Sequence, residues 1–313
     1  MTDITAIGEI LIDMTQSGET EAGIPKFTAN PGGAPANLAV AASRLGAKTA
    51  FIGRVGDDSL GKYLKAVLEK DSVDVRGLSA DPKECTTLAM VSVDKTGERS
   101  FSFYRDPSAD VNLSWEDVPK ELLAETKILH FGSVSLTADP AKSTTIRAAE
   151  EAKKNGAYVS YDPNYRANLW PDEETAIREM KKPLPLVDIL KISDEELPLI
   201  TGTNDLEKGS ETLKDLGIRL VLVTLGADGA FYRYGDVTGK IPGIRVKVGD
   251  TNGAGDTFFG AALSKFAKEE SLADLSKEKI EEILTFANKA AAITTSRHGA
   301  IPAMPTLDEI EAF

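Results

Sequence analysis

Asp250-Thr251-Asn252-Gly253-Ala254-Gly255-Asp256-Thr257-Phe258-Phe259-Gly260 sets three small residues and a carboxylate where an apolar helical pattern begins. That is a helix start built to hold an anion. Gly253, Ala254 and Gly255 let a phosphate approach the backbone. The N–H groups of a first helical turn, which lack intrahelical partners, point at it with the helix dipole behind them. Asp256 sits inside that turn. A carboxylate beside an anion-binding loop is electrostatically unfavourable unless it serves a neutral partner, such as a hydroxyl that it deprotonates for attack on the bound phosphate. An Asp in a first turn also complements the dipole with no further role, and the GxGD pattern alone leaves both readings open.

About two hundred residues earlier stands Asn30-Pro31-Gly32-Gly33-Ala34-Pro35-Ala36-Asn37, leading into the apolar, Ala-rich run Leu38 to Leu45 with Gly46 placed to cap a helix. Asn37 faces outward in this reading and offers a donor and an acceptor to a polyol. Helix capping is the commoner use of an Asn near a helix start. Together the two strings resemble the N- and C-terminal signatures of the PfkB, or ribokinase-like, carbohydrate kinases. The resemblance implies that the Gly32-Gly33 pair and Asn37 bind sugar hydroxyls, that Asp256 is the general base, and that the backbone of Gly253, Ala254 and Gly255 is the anion hole. Two signatures in this order are far more specific than either alone.

Composition agrees with such a protein. A chain of 313 residues with 42% apolar content can bury one large core, so a single domain spanning 1–313 with a small appendage is expected. A net charge of -13 argues against a nucleic-acid partner. A nucleotide can still bind where helix N-termini, a few Lys or Arg and Mg2+ make the site locally positive. One cysteine, Cys85, and two histidines fit a reducing cytosol. Asp3 and Glu9 interrupt the apolar residues of the first segment, so neither a signal peptide nor a membrane span is expected.

Ile4 to Ile12, broken at Gly8-Glu9, predicts a buried first strand with Asp13 projecting from its C-terminal end, the edge where ligands sit in an open α/β sheet. Thr49 to Val55 predicts a second strand, and Ser59 to Lys70 an amphipathic helix. Thr86 to Val93 and Arg99 to Arg105 read as a hairpin around Asp94-Lys95-Thr96-Gly97-Glu98. With segments near 13–30, this hairpin, 86–106, predicts a small sheet that serves as a lid over the sugar. From Ile128 strands and helices alternate, through strands at Ile128 to Phe131, Tyr158 to Tyr161, Ile189 to Ile192 and Leu220 to Thr224. That order predicts a three-layer α/β/α sandwich on a mostly parallel sheet, with Ala230 to Tyr234 and Thr238 to Ile241 as an antiparallel addition.

Other polar groups cluster at predicted strand ends. Tyr161-Asp162-Pro163-Asn164-Tyr165-Arg166 ends one, and Arg166 offers a fork of donors for a hydroxyl, carboxylate or phosphate. Lys191-Ile192-Ser193-Asp194-Glu195-Glu196 ends another. Lys191 and Ser193 are within reach of nucleotide phosphates, and Glu196 suits Mg2+ held through water. Ser193 stands where many members of the family have Asn. Thr224-Leu225-Gly226-Ala227-Asp228-Gly229 resembles the family's nucleotide loop, with Thr224, Gly226 and Gly229 against the donor.

The strings Phe101 to Asp110 and Ser160 to Arg166, with Leu169-Trp170-Pro171, resemble the fructokinases within the family. The resemblance runs from about Ile7 to Pro305. It implies that Asp13, Gly33, Asn37, Arg105 and Arg166 line the sugar and that Phe103 packs on it from the lid. It also places Asn164 on the nucleotide side and Asn288 near the adenine. ATP and Mg2+ are the implied cosubstrate and metal. K+ is a frequent requirement of the family, held by oxygens around Asp250 and the loop after Ser296. The expected reaction is phosphorylation of the 6-hydroxyl of D-fructose. A 2-keto-3-deoxygluconate kinase is the nearest alternative, because a sugar-acid carboxylate also suits Arg105 and Arg166. A non-catalytic sugar- or nucleotide-binding regulator on the same fold is the alternative of another class. Apolar edge surface on the lid also suggests a homodimer closed by lid pairing.

Overall fold

The structure is a computed structural model and describes residues 1–93, 99–105 and 107–313. The chain opens with β1 (Thr2–Ile7), β2 (Leu11–Glu19) and β3 (Pro25–Gly32), then α1 (Ala34–Arg44), β4 (Thr49–Gly56), α2 (Ser59–Lys70) and β5 (Asp74–Asp81). β6 (Leu88–Val93) and β7 (Arg99–Tyr104) follow. The turn expected between them at 94–98, and Asp106, lie outside the described residues. Next come α3 (Lys120–Glu125), β8 (Thr126–Gly132), α4 (Ala141–Lys154), β9 (Tyr158–Asp162), α5 (Glu173–Lys181) and β10 (Ile189–Ser193). The chain then forms α6 (Leu197–Thr201), α7 (Leu206–Asp215), β11 (Leu220–Thr224), β12 (Ala230–Tyr234), β13 (Val237–Ile241), α8 (Ala254–Phe266), α9 (Lys277–Thr295) and α10 (Leu307–Glu311).

Among the described residues the main sheet has nine strands in the order β13-β12-β11-β10-β9-β8-β1-β4-β5. β12 pairs antiparallel with both β11 and β13, and the remaining neighbours are parallel. Strand residues alternate between faces, and the cores on the two faces follow that alternation. In β11, Val221 and Val223 pack in one cluster with Ala148 and Ala152 of α4, Met180 of α5 and Leu213 of α7. Leu220 and Leu222 pack in the other with Phe259 and Leu263 of α8 and Ile283 and Leu284 of α9. Helices therefore cover both faces, which gives the expected ribokinase-like three-layer sandwich. No helix among the described residues is long and apolar enough to cross a membrane.

A second sheet, β3-β2-β6-β7, stands apart, with β2 parallel to β6 and the other pairs antiparallel. Its first member corrects one expectation. The apolar run Ile4 to Ile12 is two strands in two different sheets, not one. Gly8, at φ 151°, and Glu9 divide it, so Asp13 belongs to the beginning of β2 in the small sheet. Apolar content alone does not distinguish a continuous strand from a strand that changes sheet.

Candidate active site

The parallel strands β1, β8, β9, β10 and β11 all end on the edge of the main sheet where ligands collect in open α/β folds. Three adjoining cavities lie along it. The first, about 460 Å3 of space including its open mouth, is walled by Glu9, Leu11, Asp13, Gly33, Ala34, Asn37, Phe103, Val134, Asn164, Arg166, Asn252 and Asp256. The second is walled by Asn164, Arg166, Lys191, Thr251, Asn252, Gly253, Gly255 and Asp256. The third, about 1320 Å3 by the same measure, runs from Thr224, Gly226 and Gly229 past Gly255 to Asn288. Asp256 thus belongs to two cavities, and Gly255 joins the second to the third.

Local chain geometry builds the first turn of α8. Gly253 is its N-cap, at φ 74°, a left-handed conformation that costs L side chains energy. A Cβ there would come within 3.0 Å of both Cα and Cβ of Ala300. The Ala254 N–H donates to Thr251 O at 3.3 Å, which leaves the N–H groups of Gly255 and Asp256 to the cavity. Gly33, at φ 103°, is the N-cap of α1, and a Cβ there would lie 2.6 Å from Glu9 O. Both glycine signals in the sequence therefore mark places where backbone meets backbone.

Two amides hold the Asp256 carboxylate. Asn37 Nδ2 donates to Oδ2 at 2.8 Å and Asn164 Nδ2 donates to Oδ1 at 3.3 Å. Asn164 has a left-handed backbone, φ 45°, which Asn tolerates better than most side chains. Burial raises the Asp256 pKa above the usual carboxylate range, against the Asn37 bond and the nearby charges of Lys191 and Arg166. The outward-facing Asn37 of the sequence reading is corrected here. It is 3% exposed and points across to α8, because α1 packs against that helix. Its Oδ1 has no hydrogen-bond partner among the described residues.

Asp13 accepts from Asn252 Nδ2 at 3.3 Å. Burial pushes its pKa up to about 6, with Asn252 and Arg166 pulling the other way. Lys191 Nζ donates to Asp162 Oδ2 at 2.8 Å in an ion pair whose side chains are 7% and 3% exposed. Burial opposes the Lys191 charge, yet Asp162, Glu196 and Asp256 together keep its pKa above the ordinary lysine value. Arg166 Nη1 donates to the carbonyls of Asn164 and Tyr165, and the side chain walls both the first and second cavities.

Arg105 departs from expectation. Its guanidinium does not wall the first cavity. It donates to Asp110 Oδ2 at 2.8 Å, Thr137 Oγ1 at 2.6 Å and Val134 O at 3.1 Å, behind the wall. Sequence places an Arg near a site but does not show that an Asp five residues later will claim it. Ser193 and Glu196 also stand outside the cavity walls. Glu196 accepts from the Tyr165 N–H at 2.6 Å and the Ser193 N–H at 2.8 Å, and Ser193 Oγ accepts from the Glu196 N–H at 3.1 Å. Asp250, 7% exposed, accepts from the N–H groups of Asn252 and Gly299 at 2.7 and 3.1 Å. Asn288 Nδ2 donates to Ile241 O and Pro242 O at 3.4 and 3.1 Å. Gly32 ends β3, hydrogen-bonded to β2 beside Asp13.

The sequence pattern of the pfkB family carbohydrate kinases matches residues 1–307. The chain belongs to the pfkB family. This pfkB-family chain is 41% identical over 309 residues to Fructokinase-2 of Solanum lycopersicum, covering 98% of this chain and 94% of that one. Its fold superposes with a TM-score of 0.91 on a fructokinase from Xylella fastidiosa with bound ATP, at 34% identity over 100% of this chain and 98% of the other. It superposes equally well, at 0.91 and 35% identity, on a fructokinase from Vibrio cholerae O395 in a fructose-, ADP- and calcium-bound form, over 99% and 98% of the two chains.

Several polar residues of the pfkB site escape the sequence reading, Asn252, Asp162 and Glu9 among them. Asn252 lies inside the opening stretch but carries no expectation of its own. Asp162 sits at a strand end, and only its pairing with Lys191 marks it. Glu9, a carboxylate within an apolar run, is the one with a legible signal.

Proposed function

We propose that this pfkB-family kinase is an ATP-dependent fructokinase that transfers the γ-phosphoryl group of ATP to the 6-hydroxyl of D-fructose. The observation that carries the reading is the position of Asp256, shared by the first and second cavities, beside the free N–H groups of α8. The sugar occupies the first cavity, between Asp13, Asn37, Phe103 and Arg166. The adenosine part of ATP occupies the third, against Gly226, Gly229 and Asn288, and its phosphates extend past Gly255 into the second. Asp256 takes the proton of the 6-hydroxyl as the hydroxyl oxygen attacks the γ-phosphorus. The bond from that phosphorus to the β,γ-bridging oxygen breaks and ADP leaves, while the Asn37 and Asn164 amides keep the carboxylate aimed. The N–H groups of Gly255 and Asp256 and the ammonium of Lys191 receive the charge that develops on the transferred phosphoryl group.

The residues fit Mg2+ held mostly by phosphate oxygens and water, since no group of three His, Cys, Asp or Glu among the described residues forms a protein cage. Glu196, with one N–H on each carboxylate oxygen, keeps lone pairs for metal-bound water. When bound, Mg2+ neutralises the donor phosphates. A K+ site fits beside Asp250, where the carbonyls of Ser296 and Arg297 close over Gly249. The small sheet acts as a lid, since Leu11, Asp13 and Phe103 bring it to the sugar cavity. Ile24, Phe27 and Tyr104 leave apolar surface on it, 61%, 37% and 65% exposed, which supports a homodimer closed through the lid. A cytoplasmic location accords with the single free Cys85.

The sugar-acid alternative loses support with Arg105, whose guanidinium is engaged by Asp110, Thr137 and Val134. ADP release from Mg-ATP, measured with fructose, 2-keto-3-deoxygluconate, ribose, glucose and tagatose with and without K+, tests the reading. A kcat/KM for fructose well above the others is expected. Preference for the sugar acid reassigns Arg166 to its carboxylate, and silence with every sugar points first to an untested substrate and second to a non-catalytic role.

A further inference from the structure

Glu9 lies between β1 and β2, 3% exposed, in the wall of the first cavity. Its Oε1 accepts from the Ala34 N–H at 3.0 Å, at the start of α1. Its Oε2 is buried with no hydrogen-bond partner among the described residues. A buried acceptor left unpaired is costly, and native structures pair the great majority of them. Asn37 Oδ1 is a second unpaired, buried acceptor in the same wall. Two acceptors without donors describe a ligand that brings O–H groups. A carboxylate on the ligand brings none, and it would meet Glu9, Asp13 and Asp256 together, with Arg166 as the one cation in the cavity wall to set against three carboxyl groups.

We propose that Glu9 is a specificity-determining residue of the acceptor site: its Oε2 takes a hydrogen bond from a hydroxyl of a neutral sugar, and its charge bars acceptors that carry a carboxylate. This rests on the kinase reading above and narrows its substrate class to uncharged polyhydroxy compounds. Burial pushes Glu9 up to about 7, against its own backbone N–H, the Arg105 charge and the Ala34 N–H, with the Asp110 charge adding to the rise. Asp13, Asp256 and the Arg166 guanidinium are the other charged groups on the cavity side. The exclusion is therefore strongest above neutral pH.

The test is ADP release at pH 8 by the wild-type protein and by Glu9→Gln, with fructose and with 2-keto-3-deoxygluconate. The Gln side chain keeps an oxygen for the Ala34 N–H and removes the charge. In the variant, KM for fructose should rise about 10- to 10²-fold, the scale for losing a hydrogen bond to a charged group, with kcat within about 3-fold. The preference for fructose over the sugar acid should shrink by a similar factor. An unchanged KM and preference, or a loss of kcat at constant KM, overturns the proposal. Wild-type turnover of fructose is read first and tests the kinase reading alone. If Glu9→Gln does not fold, the wild-type preference at pH 8 still decides, since sugar-acid kcat/KM within about 10-fold of fructose is incompatible with an excluding carboxylate.

Discussion

Asn37 Nδ2 donates to Asp256 Oδ2 at 2.8 Å, a bond between residues 219 positions apart that ties the start of α1 to the start of α8. It joins the two sequence signatures into one device. The amide that the first supplies orients the carboxylate that the second supplies. An Asn at this place is accordingly a positioning residue for the base as well as a wall of the sugar cavity.

Replacing Asp256 by Asn removes the proton acceptor while keeping its size. kcat should fall by at least about 10²-fold, the lower end for loss of a general base. Fructose binding followed by calorimetry should be largely retained. Near-normal kcat in this variant would sink the assignment of the base.

Asn37→Ala removes the largest influence lowering the Asp256 pKa and leaves only the Lys191 and Arg166 charges against burial. The carboxyl then holds its proton to higher pH. The acid limb of the kcat/KM profile should move upward relative to wild type. A limb that stays in place with lower kcat/KM would mean that Asn37 contacts only the sugar.

Gly253→Ala forces a side chain into a left-handed backbone and against Ala300. The strain should cost about 1–3 kcal/mol, read as a lower urea midpoint. Because the α8 amides move with the cap, kcat should fall further than occupancy of the sugar site.

Lys191 and Asp162 form a buried pair, so removing one partner strands the other. Lys191→Met should destabilise the protein by about 3–5 kcal/mol. The double variant Lys191→Met with Asp162→Leu should recover much of that in urea denaturation. It should remain poor in ATP turnover, since the ammonium is absent from the second cavity.

His130 is buried in β8, its Nδ1 3.1 Å from Ser160 Oγ, and burial lowers its pKa to about 3, helped by the Lys191 charge. In the unfolded chain the ring titrates near its ordinary 6.5. Its neutral, buried form contributes stability above about pH 6.5, and that contribution is lost as pH falls toward 3. Between pH 7 and 5 the wild type should lose about 2 kcal/mol that a His130→Leu variant does not, measured by urea unfolding at both pH values.

Much of the fold is legible because strands and helices here carry strong local patterns. The run Leu220 to Thr224 is apolar on both faces, as a strand between two helical layers must be, and Ser59 to Lys70 has the period of a surface helix. The division of Ile4 to Ile12 into two sheets was not legible, since Gly8-Glu9 reads equally well as a bulge in one strand. Glycines and the first turn of α8 were legible for a related reason: a helix N-terminus that binds an anion needs small residues at fixed spacing. The fate of Arg105 was not, because local sequence cannot tell which acceptor a guanidinium will meet.

Sequence by itself determined the layer order, the two glycine-marked helix starts and the presence of an acid beside an anion site, since each depends on residues close together along the chain. Tertiary structure alone decided that Asn37 and Asn164 grip Asp256, that Lys191 pairs with Asp162, and that Glu9 presents an unpaired oxygen to the cavity. Those facts depend on distances between segments far apart in sequence, which are set only when the helices and sheets pack against one another.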